Sequence, residues 1–336
     1  MKKAYPMMAL KKTSVIAIII VIVIIVGLAA WFTLGGFGAA PVRLKWAECA
    51  TGSVAWIGGS VFAKTCMKHG VGLEITVIGS TCSVENMHLL REGKADVVHD
   101  IFSFARDCYY GQGKFVNASN PNLRAIVWKQ SNVLGIVTLA ETGINKLTDL
   151  AGKKVVVGAP GTAVYIQNMR VLEALGLADK IIPEEIDWTQ GCEALRDRRV
   201  DAVMSFTYVP NTPSQQLFAT PGINAKLIGL NETEIQILTS LYPYYVEYVI
   251  PPNTYPGQDY EVHTIAQPVG YFCNADLPED VVYKIVKAIY EYYPEMAEES
   301  VIWAHFNPEL GPKLPEIPYH PGAIKFYKEV GLWPES

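Results

Sequence analysis

The sequence predicts an α/β fold built from two similar halves. Residues 90–98 and 195–203 share their hydrophobic pattern, their order of charges and the position of one aspartate. Each segment has the pattern of a helix end, a tight basic turn and the start of a buried strand, which is half of a βαβ unit. The chain is therefore expected to carry one α/β motif twice.

Each repeat is preceded by strands that lead into loops of small residues. Such strands are expected at residues 44–47, 73–78 and 155–157, and a helix follows each loop. Ser and Thr at these junctions are N-cap residues, and glycine lets the backbone approach a bound molecule closely. Because ligands of open α/β sheets bind at the carboxyl ends of parallel strands, these loops predict a cleft lined by helix N-termini.

The candidate ligand-binding residues lie in these loops and at the matching strand ends. They are Thr51, Gly52, Ser53, Ser80, Ser83, Gly161, Thr162, Val164, Thr207 and Tyr208. Ser53, Ser83 and Thr162 are expected to cap helices whatever the function, and ligand contact is a second role for them. Tyr208 is equally suited to packing.

Further elements follow from the periodicity of apolar residues. A helix is expected at residues 102–110, a strand at 134–138, and a helix from Thr162 to about residue 175. After the second repeat, residues 264–272 read as a long apolar strand and residues 277–293 as an amphipathic helix. A strand at that point indicates that the chain returns to the first half, so two strands would form a hinge.

Composition and motifs exclude several classes of function. The chain has 336 residues, half of them hydrophobic, and a net charge of −5 without a basic stripe, so nucleic acid is not an expected partner. No Walker loop, Gly-x-Ser-x-Gly or His-Glu-x-x-His motif is present, and we expect no enzyme. The six cysteines form no Cys-x-x-Cys pair. We therefore expect no metal or cofactor and one or more disulfides, whose connectivity the sequence leaves open.

The N-terminus predicts a membrane segment. Four lysines, at positions 2, 3, 11 and 12, precede the apolar residues 15–34, which are long enough for a single span. Lysines on that side place the bulk of the chain outside the cell membrane. A retained anchor is favoured over a cleaved signal because Pro41 follows the one acceptable cleavage point, after Ala40. Cleavage would give a secreted form instead.

These patterns divide the chain into four parts. Residues 1–40 would hold a cytoplasmic tip, the membrane segment and a linker. Residues 43–133 would begin lobe 1, residues 134–260 would form lobe 2, and residues 261–336 would return to lobe 1.

The C-terminal third resembles a known family. Tyr-Pro-Tyr-Tyr at residues 242–245, together with residues 250–259, 276–283 and His-Pro-Gly-Ala at 320–323, is similar to the signatures of TAXI-type solute-binding proteins. These are the extracytoplasmic receptors of TRAP transporters, the tripartite ATP-independent periplasmic systems. Residues 83–86 and 158–161 also resemble that family, and the similarity extends from Arg43 onward.

The resemblance implies a type II-like periplasmic-binding-protein fold whose two lobes close over one small solute. Its implied ligand is a glutamate-like acid, a dicarboxylate or a keto acid, and its implied partner is a TRAP-type membrane permease. A ligand-sensing receptor on the same scaffold is the alternative. Three departures bear on the ligand: a shortened loop at residues 49–53, and apolar Ile101 and Val164 where the family has polar residues. A more apolar acid than glutamate is compatible with these changes.

Overall fold

The computed structural model describes residues 40–314 and 316–334. The predicted membrane segment lies outside these residues. Among the residues that are described, no helix is both long and apolar enough to cross a bilayer. Arg43–Ser336 form one compact unit.

The strands of this unit join into one ten-stranded sheet. In chain order they are β1 (Val42–Ala47), β2 (Leu73–Ile78), β3 (Val97–Ile101), β4 (Leu123–Leu139), β5 (Lys154–Val156), β6 (Ile182–Glu184), β7 (Ala202–Thr207), β8 (Ala225–Ile228), β9 (Val246–Ile250) and β10 (Val262–Asn274).

Helices alternate with these strands along most of the chain. They are α1 (Val54–Lys68), α2 (Ser83–Arg91), α3 (Phe102–Tyr110), α4 (Ala163–Ala174), α5 (Trp188–Arg196), α6 (Thr212–Phe218), α7 (Glu232–Leu241), α8 (Glu279–Glu299), α9 (Val301–Ala304) and α10 (Pro321–Glu329).

The sheet is mixed, and its order is β2-β1-β3-β10-β4-β7-β5-β6, with β8 on β4 and β9 on β10. The pairs β1/β3, β5/β6 and β5/β7 are parallel, as the repeated βαβ pattern predicts. By contrast, β10 is antiparallel to both β3 and β4. The α/β class predicted from the sequence is therefore confirmed.

Two long strands run through the middle of the sheet. β4 pairs with β10 between Leu123 and Val133, and with β7 between Val133 and Thr138. β10 pairs with β9 at its start and with β3 at its end. These two strands join the β1–β3 group to the β5–β8 group. The division into lobes at residues 133, 134, 260 and 261 stays a prediction.

Several element boundaries differ from those expected. The helix at residues 102–110 is confirmed as α3. The strand expected at 134–138 is only the end of β4, which is 17 residues long and continues through the polar residues 129–132, of which Lys129 and Gln130 are buried. The helix expected to end at residue 293 is α8, which continues past Pro294 to Glu299.

An aromatic cluster fills the space between α1 and the sheet. The rings of Trp46 and Tyr271 lie 4.6 Å apart, and Phe62 contacts both Trp46 and Trp303. All four side chains are buried. The indole of Trp303 also donates a hydrogen bond to the Gly58 carbonyl in α1, so α9 is fixed against α1.

Candidate functional site

The loop before α2 is ordered by its own polar side chains. The Ser80 hydroxyl accepts the Cys82 amide at 2.8 Å and lies 2.6 Å from both the Glu48 carbonyl and Asn86 Oδ1. The Thr81 amide and hydroxyl both donate to Glu85 Oε2 at 2.7 Å, which lowers the pKa of that carboxyl. This loop therefore enters α2 in a fixed conformation.

A disulfide joins this loop to the loop after β1. It links Cys49 to Cys82, 33 residues apart. The sequence predicted a disulfide without its connectivity, and the structure supplies the pair. Ligand atoms of Cys49, Cys82 and His99 lie within 4.8 Å of one another, as in a metal site. With both sulfurs in the disulfide, however, no thiolate remains to bind an ion.

The loop before α4 has a similar design in the second repeat. Thr162 caps α4 by accepting the Tyr165 amide at 3.2 Å, and its hydroxyl donates to the Ala159 carbonyl at 2.7 Å. Gly161 has φ +82°, a conformation that other residues adopt only with strain. The backbone therefore turns sharply just before the helix begins.

The starts of α2 and α4 face one cavity of about 470 Å³. Thr81, Cys82, Ser83 and Val84 line it from the α2 side, and residues 160–163 with Ile166 line it from the α4 side. Phe104 of α3 completes the wall. The cavity therefore lies between one strand-loop-helix unit of the first repeat and one of the second.

Both helices present free amides near this cavity. Within residues 40–314 and 316–334, the amides of Ser83 and Val84 in α2 donate to no acceptor, and neither do those of Ala163 and Val164 in α4. Unpaired amides at a helix start carry partial positive charge, and they attract anions. The arrangement suits a small negatively charged group.

Three of the predicted residues line the cavity, namely Ser83, Gly161 and Thr162. The other seven lie outside its wall: Thr51, Gly52, Ser53, Ser80, Val164, Thr207 and Tyr208. Their role in ligand binding stays a prediction.

The structure gives several of these seven a local contact. Ser53 caps α1 by accepting the Trp56 amide at 3.2 Å, and Val164 packs against Gly158. Thr207 ends β7, and the Tyr208 ring lies 5.8 Å from that of His305.

The sequence reasoning missed the apolar part of the wall. Neither Phe104 nor Ile166 is among the predicted site residues, since apolar side chains near a helix start also pack in cores. Their position offers one signal: each lies in the first turns of a helix that follows a strand end, as the polar candidates do.

A buried carboxyl lies behind the α2 side of the cavity. Asp100 of β3 is fully buried, and burial raises its pKa to about 8, although the Ile101 amide and the Ser83 hydroxyl partly offset that rise. Asp100 Oδ1 accepts the Ile101 amide at 2.7 Å. Asp100 Oδ2 and Ser83 Oγ are buried without a well-formed hydrogen bond in the described part of the chain. The raised pKa favours the protonated, neutral form of this carboxyl at pH 7.

Polar side chains also join α3 to α4 directly. Gln167 Nε2 donates to the Ser103 hydroxyl at 2.7 Å, and Gln167 Oε1 accepts from the Tyr245 hydroxyl. Arg170 bonds Asp107 Oδ2 at 3.1 Å and the Tyr244 hydroxyl at 3.0 Å. The first repeat thus contacts the second through hydrogen bonds and one ion pair.

A second buried polar group lies under α1. Lys129 Nζ lies 2.9 Å from His99 Nδ1 and 3.0 Å from the Tyr271 hydroxyl, which in turn donates to Glu48 Oε1 at 2.9 Å. Burial raises the pKa of Glu48 and lowers those of Lys129 and His99. These four residues, called the Glu48–Lys129 cluster below, connect β1, β3, β4 and β10.

Fold and cavity together define a mixed α/β protein with an anion-compatible cavity between its two repeats. The pattern of the NMT1-like family matches residues 49–331. The chain belongs to the NMT1-like family.

Solved structures with low sequence identity resemble the chain. The periplasmic aliphatic sulphonate binding protein SsuA from Escherichia coli is 14% identical, with a TM-score of 0.47 and coverage of 88% of this chain and 84% of that one. The alkanesulfonate-binding protein SsuA from Xanthomonas axonopodis, bound to MOPS, is 14% identical, with a TM-score of 0.42 and coverage of 89% of this chain and 96% of that one. The GluR0 ligand-binding core in complex with L-glutamate is 12% identical, with a TM-score of 0.45 and coverage of 80% of this chain and 99% of that one.

Proposed function

We propose that this chain is an extracytoplasmic receptor that captures a small organic acid and delivers it to a membrane transporter. The observation that carries the proposal is the cavity between the starts of α2 and α4, which is lined by residues of both helices whose amides are free. Each helix start stabilises an anion by roughly 0.3–1 kcal/mol. Two of them acting on one carboxylate would favour binding without any basic side chain.

The two repeats supply the moving parts in this proposal. Two lobes, divided near residues 133 and 260, would close over the solute by bending β4 and β10, the two strands that join the strand groups. Membership of the NMT1-like family and the motif resemblance support a binding protein. The resemblance also leads us to propose a TRAP-type permease as the partner and residues 15–34 as the membrane anchor.

Ligand binding should stabilise the full chain and compact it. A binding acid should raise the melting temperature by mass action, with about 2.7 kcal/mol of added stability at a hundredfold excess over Kd. Lobe closure should also reduce the radius of gyration. Thermal unfolding and solution scattering of the protein in nonionic detergent, with and without a panel of organic acids, check both. Millimolar acids without any thermal effect would contradict the proposal.

A matched pair of cap variants should locate the ligand. Ser53 and Thr162 each accept a helix amide at 3.2 Å, so either change to alanine should cost about 1 kcal/mol of stability. Thr162→Ala should in addition weaken acid binding about fivefold, equivalent to ~1 kcal/mol, because its hydroxyl orders a loop that lines the cavity. Ser53→Ala should weaken acid binding less than Thr162→Ala does, because Ser53 lies outside the cavity wall. Calorimetric titration compares them, and equal losses of affinity would place the ligand elsewhere.

A further inference from the structure

No charged side chain is among the residues that line the cavity. Its polar surface consists of hydroxyls and backbone groups from the starts of α2 and α4, and its apolar surface comes from Val84, Phe104 and Ile166. A charged group on a ligand would therefore find helix amides but neither a carboxylate nor a cationic side chain.

The charged residues nearest along the same helices already have partners. Arg170 of α4 bonds Asp107 and Tyr244, and Arg106 of α3 bonds Glu316 and Gln112. Glu85 of α2 accepts both donors of Thr81. Reaching into the cavity would cost each of these side chains its present hydrogen bonds.

One buried polar group at the cavity, the Ser83 hydroxyl, makes no well-formed hydrogen bond among the described residues. Ser83 lines the cavity and is only 5% exposed. The same hydroxyl lies beside the buried Asp100 carboxyl and lowers its pKa, so an anion that bound here would compete with Asp100 for this donor. The free amides of the lining residues Ser83, Val84 and Ala163 are donors, as a carboxylate or sulfonate group requires.

We propose that the cavity takes an organic anion with a single negative charge and an apolar body, and that it discriminates against amino acids and dicarboxylates. The inference rests on the proposed function and narrows it to one class of solute. An ammonium or a second carboxylate would have to leave water without a counter-charge in this wall. The same wall suits a branched aliphatic or aromatic body through contact with Phe104 and Ile166.

Matched ligand pairs test the charge requirement on the full chain in nonionic detergent. 4-Methylpentanoate is leucine without its ammonium group, and pentanoate is glutarate with a methyl group in place of its second carboxylate. We expect each monoanion to bind at least tenfold more tightly than its counterpart in calorimetric titration. Pentane-1-sulfonate carries a sulfonate in place of a carboxylate. Comparing its affinity with that of pentanoate shows which anionic group the donors prefer.

Two glycine variants show whether binding occurs in this cavity. Gly161 and Gly152 have φ of +82° and +75°, and neither has atoms within 4 Å of an added Cβ. Valine at either position brings similar backbone strain, but only Gly161 lines the cavity. Gly161→Val should abolish the binding of 4-methylpentanoate, and Gly152→Val should retain it.

The outcomes separate this inference from the proposed function. Tighter binding of glutarate or leucine that Gly161→Val removes would overturn the monoanion class and leave an acid receptor in place. Binding that both glycine variants retain would overturn the cavity as the site, and no binding of any acid would overturn the receptor itself. A further variant reverses the preference: Ile166→Lys should supply the missing cation and raise the affinity for glutarate relative to pentanoate at least tenfold.

Discussion

Lys129→Met is expected to destabilise the protein by about 3–5 kcal/mol, because it removes one partner of a buried charged group. Lys129 is fully buried and lies within hydrogen-bond distance of His99 and Tyr271. Without its ammonium group, Glu48 would lose the positive charge that offsets part of its burial. Urea unfolding of wild type and variant at pH 7 measures the loss.

Two further variants make this result interpretable. Glu48→Gln combined with Lys129→Met removes both charges, so we expect the double variant to be more stable than Lys129→Met alone. Arg43→Ala disrupts the exposed ion pair with Glu74 and should cost less than about 1 kcal/mol. If Lys129→Met proves as stable as wild type, the Glu48–Lys129 cluster contributes nothing to stability.

Asp100→Asn should reduce a fall in stability between pH 5 and pH 7. The pKa of Asp100 is raised from 3.8 to about 8 in the folded protein, so the folded state holds one more proton than the unfolded state between these values. Stability therefore decreases as pH rises through that window, by about 1.4 kcal/mol per pH unit. The difference in the free energy of unfolding between pH 5 and pH 7 should be smaller by roughly 3 kcal/mol in Asp100→Asn than in wild type.

Urea unfolding at the two pH values measures this slope. Some slope should remain in Asp100→Asn, because burial also raises the pKa of Glu48 to about 7. Ser83→Ala is the control, since it removes the neighbouring hydroxyl and leaves the buried carboxyl that titrates. An unchanged slope in Asp100→Asn would mean that this carboxyl ionises in the folded protein as it does in the unfolded chain.

Local sequence patterns predicted those elements whose residues bond and pack with residues close by in sequence. Helix α3 was predicted at its observed bounds because its apolar residues recur at helical spacing up to Gly111, which has φ +69°. β4 was predicted at less than half of its length. Lys129 and Gln130 interrupt its apolar pattern, and the partners that make Lys129 tolerable, Glu48 and Tyr271, are far away in sequence.

The candidate site shows the same limit. Gly161 and Thr162 could be predicted because tight turns and capping leave a local signature, and both line the cavity. Ser83 also lines the cavity, but the prediction that it caps a helix is wrong, because it is the first residue of α2 and the N-cap is Cys82, which makes no side-chain capping bond. Phe104 carries no such signature, since its role depends on α3 lying beside α4. The contacts between Ser103 and Gln167, 64 residues apart, and between Asp107 and Arg170 set that placement, and local periodicity does not encode them.

The position of β10 constrains how the protein is made. β10 lies between β3 and β4 and is antiparallel to both, yet residues 262–274 are synthesised long after those strands. Until residues 262–274 are available, the edges of β3 and β4 that β10 covers lack their partner strand. The amino-terminal half therefore cannot complete its sheet before residues 262–274 have been synthesised. A nascent chain stopped before residue 262 should need protection from strand pairing with other chains.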